Sequence, residues 1–106
     1  MKLYIAGPMS GLPDMNYPEF RRVARILKKC GYEVEDPSDN VNPDSEDYIT
    51  WLRLGLKQVL ECDGIALLDG FGLSKGAMME AHVAAFLMMP VRPWLEWFND
   101  AESTAR

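Results

Sequence analysis

Short apolar runs alternate with longer amphipathic segments along the chain. The short runs, at residues 2–6, 32–35, 64–68 and 91–94, have the length and the residue types of strands. The longer segments carry apolar residues at helical spacing with polar residues between them. Strands and helices that alternate in this way form right-handed crossovers and a parallel sheet. The pattern therefore predicts a small three-layer α/β sandwich, flavodoxin-like in topology, with a parallel sheet of four or five strands and helices on both faces.

Three helices follow from the spacing of the apolar residues. The first begins at Pro18 and ends at a C-cap at Gly31, and its basic face is interpreted as a solvated surface. The third covers residues 76–89 and is apolar on nearly all sides, so we expect it to be covered on more than one side. The second is capped by Asp44 or Ser45. Its predicted buried stripe consists of Tyr48, Ile49, Leu52, Leu56, Val59 and Leu60.

A chain of 106 residues is long enough for one compact domain. We assign residues 1–98 to that domain and residues 99–106 to a frayed C-terminal tail. An apolar group precedes the tail and consists of Trp94, Leu95, Trp97 and Phe98. Together with the third helix, this group predicts an apolar surface that a second copy covers, in a homodimer or higher oligomer. The alternative is that the tail folds back and covers the helix within its own domain.

Charge and cysteine content narrow the possible partners and locations. The formal net charge of −5 argues against binding to a nucleic-acid backbone, but it permits a small anionic ligand at a local site. Cys30 and Cys62 lie in apolar segments, which predicts reduced, buried thiols in the cytoplasm. One His and two separated Cys match no metal-ligand spacing, so we expect no metal and no cofactor. No signal peptide is visible and no apolar run approaches the ~20 residues that span a bilayer, so we expect no membrane association.

The main functional signal lies at residues 67–82, where a buried strand, a glycine-rich loop and a helix start follow one another. Ser74 is a suitable N-cap and Gly76 keeps the backbone beside it bare, so free amides and the helix dipole form a seat for an anion. Glu80 follows inside the helix. Asp69 ends the strand at the edge where ligands bind in open α/β sheets. A carboxylate beside an anion seat indicates a ligand site; the alternative is an ordinary capped helix with a surface Glu80.

Two segments carry a resemblance to a known family. The first is residues 4–11, YIAGPMSG, and the second is Ser74-x-Gly76-x-x-x-Glu80. Together they resemble the signatures of the nucleoside 2-deoxyribosyltransferase superfamily, over residues 1 to about 91. The chain is most similar to the short phage and prophage proteins of the DUF4406 domain. The features shared with those proteins are GLPD at residues 11–14, NYP at residues 16–18, the helix that contains Phe20, and Cys62-Asp63.

The resemblance implies an enzyme that acts on the N-glycosidic bond of a nucleoside. Glu80 would be the catalytic nucleophile that attacks the anomeric carbon and expels the base, and Tyr4 would orient its carboxylate. The implied substrate-binding residues are Gly7, Met9, Ser10, Asp69, Ser74 and Gly76. Each has a structural alternative, such as a core aromatic for Tyr4 and a plain turn for Gly7.

Two positions depart from the superfamily pattern. Ser74 stands where the transferases have an Asp, and the nucleotide hydrolases of the superfamily carry Ser there to bind a 5′-phosphate, which implies a nucleoside 5′-monophosphate. Gly55 stands where the superfamily often has an Asp that assists at the leaving base, and Asp47 or Glu61 are possible replacements. We therefore keep two hypotheses: an N-glycoside hydrolase or deoxyribosyltransferase, and a nucleotide-binding module without turnover. A third, a structural or interaction protein, is favoured by the Trp-rich end.

Overall fold

The computed structural model describes residues 1–40 and 47–104. Its strands and helices, in chain order, are β1 (Lys2–Ala6), α1 (Tyr17–Lys29), β2 (Glu33–Glu35), α2 (Tyr48–Leu60), β3 (Gly64–Leu67), α3 (Lys75–Phe86), β4 (Val91–Pro93) and α4 (Trp94–Thr104). All strand pairs in this part of the chain are parallel, and the order in the sheet is β2-β1-β3-β4. This is the flavodoxin-like order, so the predicted fold is confirmed.

Strand β1 lies inside the sheet and divides the core into two halves. Alternate side chains of a strand point to opposite faces. Leu3 and Ile5 accordingly pack on the face covered by α1 and α4, whereas Tyr4 and Ala6 pack on the face covered by α2 and α3. This alternation brings Tyr4 into the same half of the core as the helix that carries Glu80.

The C-terminal segment is helical, whereas the sequence predicted a frayed tail. Helix α4 continues to Thr104, and the Arg92 guanidinium spans its first turns. Arg92 donates to the Glu96 carboxylate at 3.4 Å and to Asp100 at 2.6 Å. The burial of Trp94 and Trp97 anchors the first turns of this helix, and the exposed ion pairs add little to its stability. Residues 105–106 lie outside the described part of the chain.

The aromatic residues of α4 belong to the core of their own domain. Trp94 and Trp97 are buried with α1, and the Trp97 indole N–H donates to the carbonyl of Ile65 at 2.8 Å. A Cβ atom on Gly64 would lie 3.0 Å from the Trp97 ring, so the missing side chain provides the space that the indole needs. The Trp-rich group therefore does not form the predicted outer surface. The segment folds back over its own domain, on the face opposite α3.

Helix α3 ends at Phe86, before the predicted end at Met89. Met88 adopts a left-handed conformation with φ of +62°. The amides of Met88 and Met89 donate to the carbonyls of Ala85 and Ala84 at 3.0 and 2.9 Å. This Schellman arrangement satisfies the last carbonyls of the helix. The sequence did not reveal it, because a Met in the left-handed region is uncommon.

In the part of the chain that the structure describes, α3 is covered on one side only, although its composition predicted cover on more than one. Ala77, Glu80 and Ala84 face the core. The opposite side and the end of the helix leave several large apolar side chains exposed. These are Met78, Met79, Phe86, Leu87 and Met88, of which Phe86 and Met88 are 87% and 89% exposed.

Helix α2 begins two or three residues later than predicted and buries a narrower stripe. The cap is Asp47, whose carboxylate accepts from the amide of Ile49 at 3.1 Å. The predicted caps, Asp44 and Ser45, lie outside the described residues. Three members of the predicted stripe, Tyr48, Ile49 and Leu60, are exposed. The helix is rotated so that Gly55 and Val59 face inward, which brings Gly55 against α3.

Both cysteines are free thiols; Cys62 is buried and Cys30 is half-buried. Burial raises the pKa of the Cys62 thiol to about 12. Of the helices in the described part of the chain, none has the length and apolar character needed to cross a membrane.

Candidate active site

A cavity of about 670 Å³ opens at the carboxyl edge of the sheet. The loops after β1 and β2 and the first turns of α2 and α3 form its walls. Its volume is within the usual range for small-molecule sites. The sequence-predicted site residues that line it are Tyr4, Gly7, Met9, Ser10, Ser74, Gly76 and Glu80.

A hydrogen bond between Tyr4 and Glu80 forms the centre of the site. The Tyr4 hydroxyl donates to Glu80 Oε2 at 2.6 Å, across 76 positions of sequence. Tyr4 comes from β1 and Glu80 from the second turn of α3, and both side chains are buried. A carboxylate is rarely buried without a partner. The tyrosine supplies that partner and holds one carboxylate oxygen, while Glu80 still lines the cavity.

The protonation of this pair follows from its burial. Burial raises the pKa of the Glu80 carboxyl to about 7, and the hydrogen bond from Tyr4 opposes the shift. Burial and the nearby Glu80 charge raise the pKa of the Tyr4 hydroxyl, so it stays protonated and donates. Near neutral pH the Glu80 carboxyl is therefore divided between its neutral and ionised forms, and the ionised form is the nucleophilic one.

Gly55 provides the space in which the Glu80 carboxylate lies. A Cβ atom built on Gly55 would collide with Glu80 Oε2 and would lie 3.1 Å from the Tyr4 hydroxyl oxygen. A side chain at this position, including the Asp of the superfamily pattern, is incompatible with the observed pair. The possible replacements do not reach the cavity wall: Asp47 caps α2 and Glu61 follows its last turn.

The start of α3 has the features predicted for an anion seat. Ser74 is the N-cap, and its hydroxyl oxygen accepts from the amide of Ala77 at 3.1 Å. A Cβ atom on Gly76 would lie 3.5 Å from the Tyr48 hydroxyl oxygen, an ordinary contact, so the packing around Gly76 does not itself require a glycine. Lys75 also lines the cavity, so a cationic side chain accompanies the helix N-terminus.

Two of the predicted residues have surroundings that the sequence did not indicate. Gly7 lines the cavity, but a Cβ on it would lie 2.7 Å from Leu68 Cβ, so close packing between the strand ends requires the glycine. Asp69 is exposed and is not part of the cavity wall. Asp69 lies towards Arg22 of α1, on the other side of the sheet; the pKa of Arg22 is raised mainly by Glu19, and the Asp69 charge adds to this rise. The structure therefore does not bring Asp69 together with the other predicted residues.

Several lining residues were not predicted. Tyr17, Asn40, Tyr48 and Trp51 all face the cavity. Tyr48 and Trp51 share a helix face with Gly55, because they lie about two turns and about one turn before it. Two aromatic residues at this spacing before an interior glycine are the sequence signal that could have revealed them. Aromatic side chains in a ligand cavity provide flat surfaces for stacking.

Met15 reaches the cavity wall through an unusual turn. Asp14, Met15 and Asn16 have φ values of 52°, 56° and 61°, and Asn16 Nδ2 donates to the Pro8 carbonyl at 2.9 Å. Consecutive left-handed residues other than glycine are energetically unfavourable. Such strain is often found beside functional sites.

The charged groups of the cavity are few. Among the described lining residues, Glu80 is the one carboxylate and Lys75 the one cation. In the same part of the chain, no group of three or more His, Cys, Asp or Glu side chains could hold a metal ion. The arrangement supplies one buried carboxylate oriented by a phenol, beside a helix N-terminus, which suits attack on an electrophilic carbon of an anionic ligand.

Comparison with known proteins identifies a family and a fold. The family described as Domain of unknown function (DUF4406) matches residues 1–92. Among solved structures, the chain is similar to a 2-deoxyribosyltransferase from the psychrotolerant bacterium Bacillus psychrosaccharolyticus, described as a biocatalyst for the synthesis of antiviral and antitumoral nucleosides. The two chains are 19% identical with a TM-score of 0.65, and the match covers 86% of this chain and 69% of that one.

At this identity, the structural likeness establishes a shared fold. A comparison with curated proteins gives no match. The family match extends over residues 1–92, which is most of the chain. This protein therefore belongs to the DUF4406 family and has the fold of the nucleoside 2-deoxyribosyltransferases.

Proposed function

We propose that this protein breaks the N-glycosidic bond of a nucleoside or nucleoside 5′-monophosphate and passes the sugar to water or to another base. The observation that carries the proposal is the buried Glu80 carboxylate, which Tyr4 holds at 2.6 Å in the wall of a cavity of nucleotide size. The likeness to a 2-deoxyribosyltransferase supports a nucleoside as the class of substrate.

The proposed reaction has two steps. An oxygen of ionised Glu80 forms a bond to the anomeric carbon, while the bond from that carbon to the base nitrogen breaks and its electron pair goes to the base. Water or a second base then attacks the same carbon, Glu80 leaves as a carboxylate, and the proton of the attacking group goes to solvent. Tyr4 keeps its proton throughout and orients the nucleophile.

The start of α3 supports a monophosphate over a nucleoside. The N-cap Ser74, the adjacent amides and the Lys75 side chain together favour a dianionic group. We expect 5′-monophosphates to stabilise the protein more than the parent nucleosides do. A ligand at 100 times its dissociation constant adds about 2.7 kcal/mol to the free energy of unfolding. Equal stabilisation by nucleoside and monophosphate would remove the phosphate from the proposal.

The test of the proposed chemistry is release of free base. Purified protein is incubated with nucleosides and nucleoside 5′-monophosphates, and free base is separated and quantified. Glu80→Gln should abolish release and leave ligand binding largely intact, because a carboxamide keeps the shape but is a poor nucleophile. Glu102→Gln, an exposed position on α4, is the matched control and should release base at the wild-type rate. Wild-type activity in Glu80→Gln excludes Glu80 as the nucleophile.

A second candidate function is nucleotide binding without turnover. The observation that favours it is Gly55, because no side chain at this position can assist the leaving base while the Glu80–Tyr4 pair is in place. A binding module would be stabilised by nucleotides in thermal unfolding and would release no base over long incubation. Base release that depends on Glu80 excludes it.

We further propose that the protein is a homodimer or higher oligomer, located in the cytoplasm. The support for assembly is the exposed apolar side of α3, which includes Met79, Phe86 and Met88. The support for the location is the pair of free thiols, Cys30 and Cys62, which suit a reducing compartment.

A further inference from the structure

Asn40 lies in the cavity wall, at the end of a network of hydrogen-bonded polar side chains. Its amide forms a reciprocal pair with that of Gln58 on α2. Asn40 Nδ2 donates to Gln58 Oε1 at 3.0 Å, and Gln58 Nε2 donates to Asn40 Oδ1 at 2.7 Å. Gln58 Nε2 also donates to Glu35 at 3.3 Å, and Glu35 forms an ion pair with Lys2 at 2.9 Å. This polar network thus connects the edge of the sheet to the cavity.

This polar network determines which way the Asn40 amide faces. A carboxylate only accepts hydrogen bonds, so Glu35 requires the NH₂ group of Gln58 on its side. The carbonyl of Gln58 then faces Asn40 and requires Nδ2 opposite to it. An Asn side chain has two N–H donors and two lone pairs, and the reciprocal pair uses one of each. One N–H and one Oδ1 lone pair of Asn40 stay outside the pair, at fixed positions.

The topology places Asn40 opposite the proposed phosphate seat. Asn40 follows β2 and Ser74 follows β3, and β1, which carries Tyr4, lies between these strands. Two strand spacings separate β2 from β3 by about 10 Å, and Asn40 and Ser74 follow these two strands on either side of Tyr4. In a nucleoside 5′-monophosphate, the base is attached at C1′ and the phosphate-bearing C5′ at C4′, so the two groups extend from opposite ends of the sugar ring. With the anomeric carbon at Glu80 and the phosphate at Ser74, the base faces the wall that contains Asn40.

We propose that Asn40 hydrogen-bonds the base of the bound nucleotide and determines which base is preferred, and that Gln58 is a positioning residue that holds the Asn40 amide in one orientation. This inference rests on the proposed function, since it requires a nucleotide in the cavity. The recognised base carries a carbonyl, amino or ring N–H group on the edge that faces Asn40. A base whose polar group meets the Asn40 amide with the wrong donor or acceptor binds more weakly.

The test measures dissociation constants for the ribonucleoside and deoxyribonucleoside 5′-monophosphates of the common bases. Ribose 5-phosphate and 2-deoxyribose 5-phosphate, which lack a base, report on the rest of the site. The variants are Asn40→Leu, Asn40→Asp and Gln58→Leu. Asn99→Leu, the same change at an exposed position on α4, is the control.

We expect the ratio between the weakest and the tightest base to fall about 3- to 10-fold in Asn40→Leu and Gln58→Leu, the effect of one neutral hydrogen bond. Asn40→Asp keeps the acceptors and loses the donors, so it should change the order of the bases. Affinity for the sugar phosphates should stay at the wild-type value in every variant, and Asn99→Leu should keep the wild-type order and ratio.

Three results contradict the inference or its premise. If wild-type protein binds the nucleotides without base preference, or if both Asn40 variants keep the wild-type preference, Asn40 does not read the base and the proposed function is unaffected. If wild-type protein binds neither nucleotides nor sugar phosphates, the proposed function itself is overturned. If Asn40→Leu also no longer binds the sugar phosphates, the substitution has damaged the fold. The order of base affinities in Asn40→Asp, which has nearly the wild-type shape, then decides whether Asn40 reads the base.

Discussion

The proposed chemistry depends on one carboxyl group, Glu80, whose pKa burial raises from 4.5 to about 7. Between these two pH values the folded protein keeps the Glu80 proton while the unfolded chain has released it. Rising pH therefore favours unfolding across this window. The stability that this group contributes is fully present below about pH 4.5 and is lost as the pH rises through about 7.

The corresponding prediction compares wild-type protein with Glu80→Gln, which cannot titrate at this position. Relative to Glu80→Gln, the wild type should lose about 3 kcal/mol in free energy of unfolding between pH 4 and pH 8. Urea unfolding of both proteins at several pH values gives this difference, because all other titrating groups are shared. A difference that does not change with pH shows that Glu80 has an ordinary pKa. The rate of base release should rise over the same range, since the ionised carboxylate is the reactive form.

A second residue-scale prediction concerns Gly55. In Gly55→Ala the new Cβ collides with the Glu80 carboxylate, so this carboxylate must shift from its place beside Tyr4 and base release should fall by about tenfold or more. A helical Gly→Ala change gains about 1 kcal/mol in propensity, but overpacking costs about 1–3 kcal/mol, so stability should fall or stay level. Gly72→Ala, where the new atom has open space, is the control and should be neutral in both respects. Unchanged activity in Gly55→Ala shows that the site tolerates a side chain there.

At the scale of helices and strands, the end of α3 is a place where the residue type and the backbone conformation disagree. Met88 occupies the left-handed position of the Schellman motif, which costs roughly 1 kcal/mol for a residue other than glycine. Met88→Gly should raise the free energy of unfolding by about 1 kcal/mol and the melting temperature by about 4–8 °C. Leu87→Gly, next to it at a φ of −88°, should lower both. Thermal unfolding of the two variants gives the signs, and a loss of stability in Met88→Gly contradicts the prediction.

At the scale of the whole molecule, the prediction concerns assembly. Met79 and Phe86 lie two helical turns apart on α3 and are 47% and 87% exposed. If a second copy covers this surface, Phe86→Lys and Met79→Lys should shift the molar mass in light scattering from oligomer to monomer. Leu95→Lys, at an exposed position on α4, is the control and should keep the wild-type mass. A monomeric wild-type mass across a dilution series at micromolar concentration excludes the proposed oligomer.

Local sequence was sufficient for most of the elements, because their signals are contained in a few neighbouring residues. The apolar runs and their turn residues determined the strands, and Ser74 was recognisable as the cap of α3 from its type and position. The ends of α2 and α3 were not predictable. A cap at Asp47 and a left-handed Met88 are choices among several acceptable residues, and packing against the rest of the domain decides between them.

The sequence by itself determined the order of strands and helices, and motif resemblance identified Glu80 and Tyr4 as a pair. Tertiary structure alone decided where side chains distant in sequence meet. It closed the hydrogen bond between Tyr4 and Glu80, rotated α2 so that Gly55 makes room for it, and turned Asp69 away from the cavity. It also buried the tryptophans of α4 in their own domain. The physical reason is that periodicity shows which faces are apolar, whereas the rotation and packing of each helix depend on how all side chains fill the shared core.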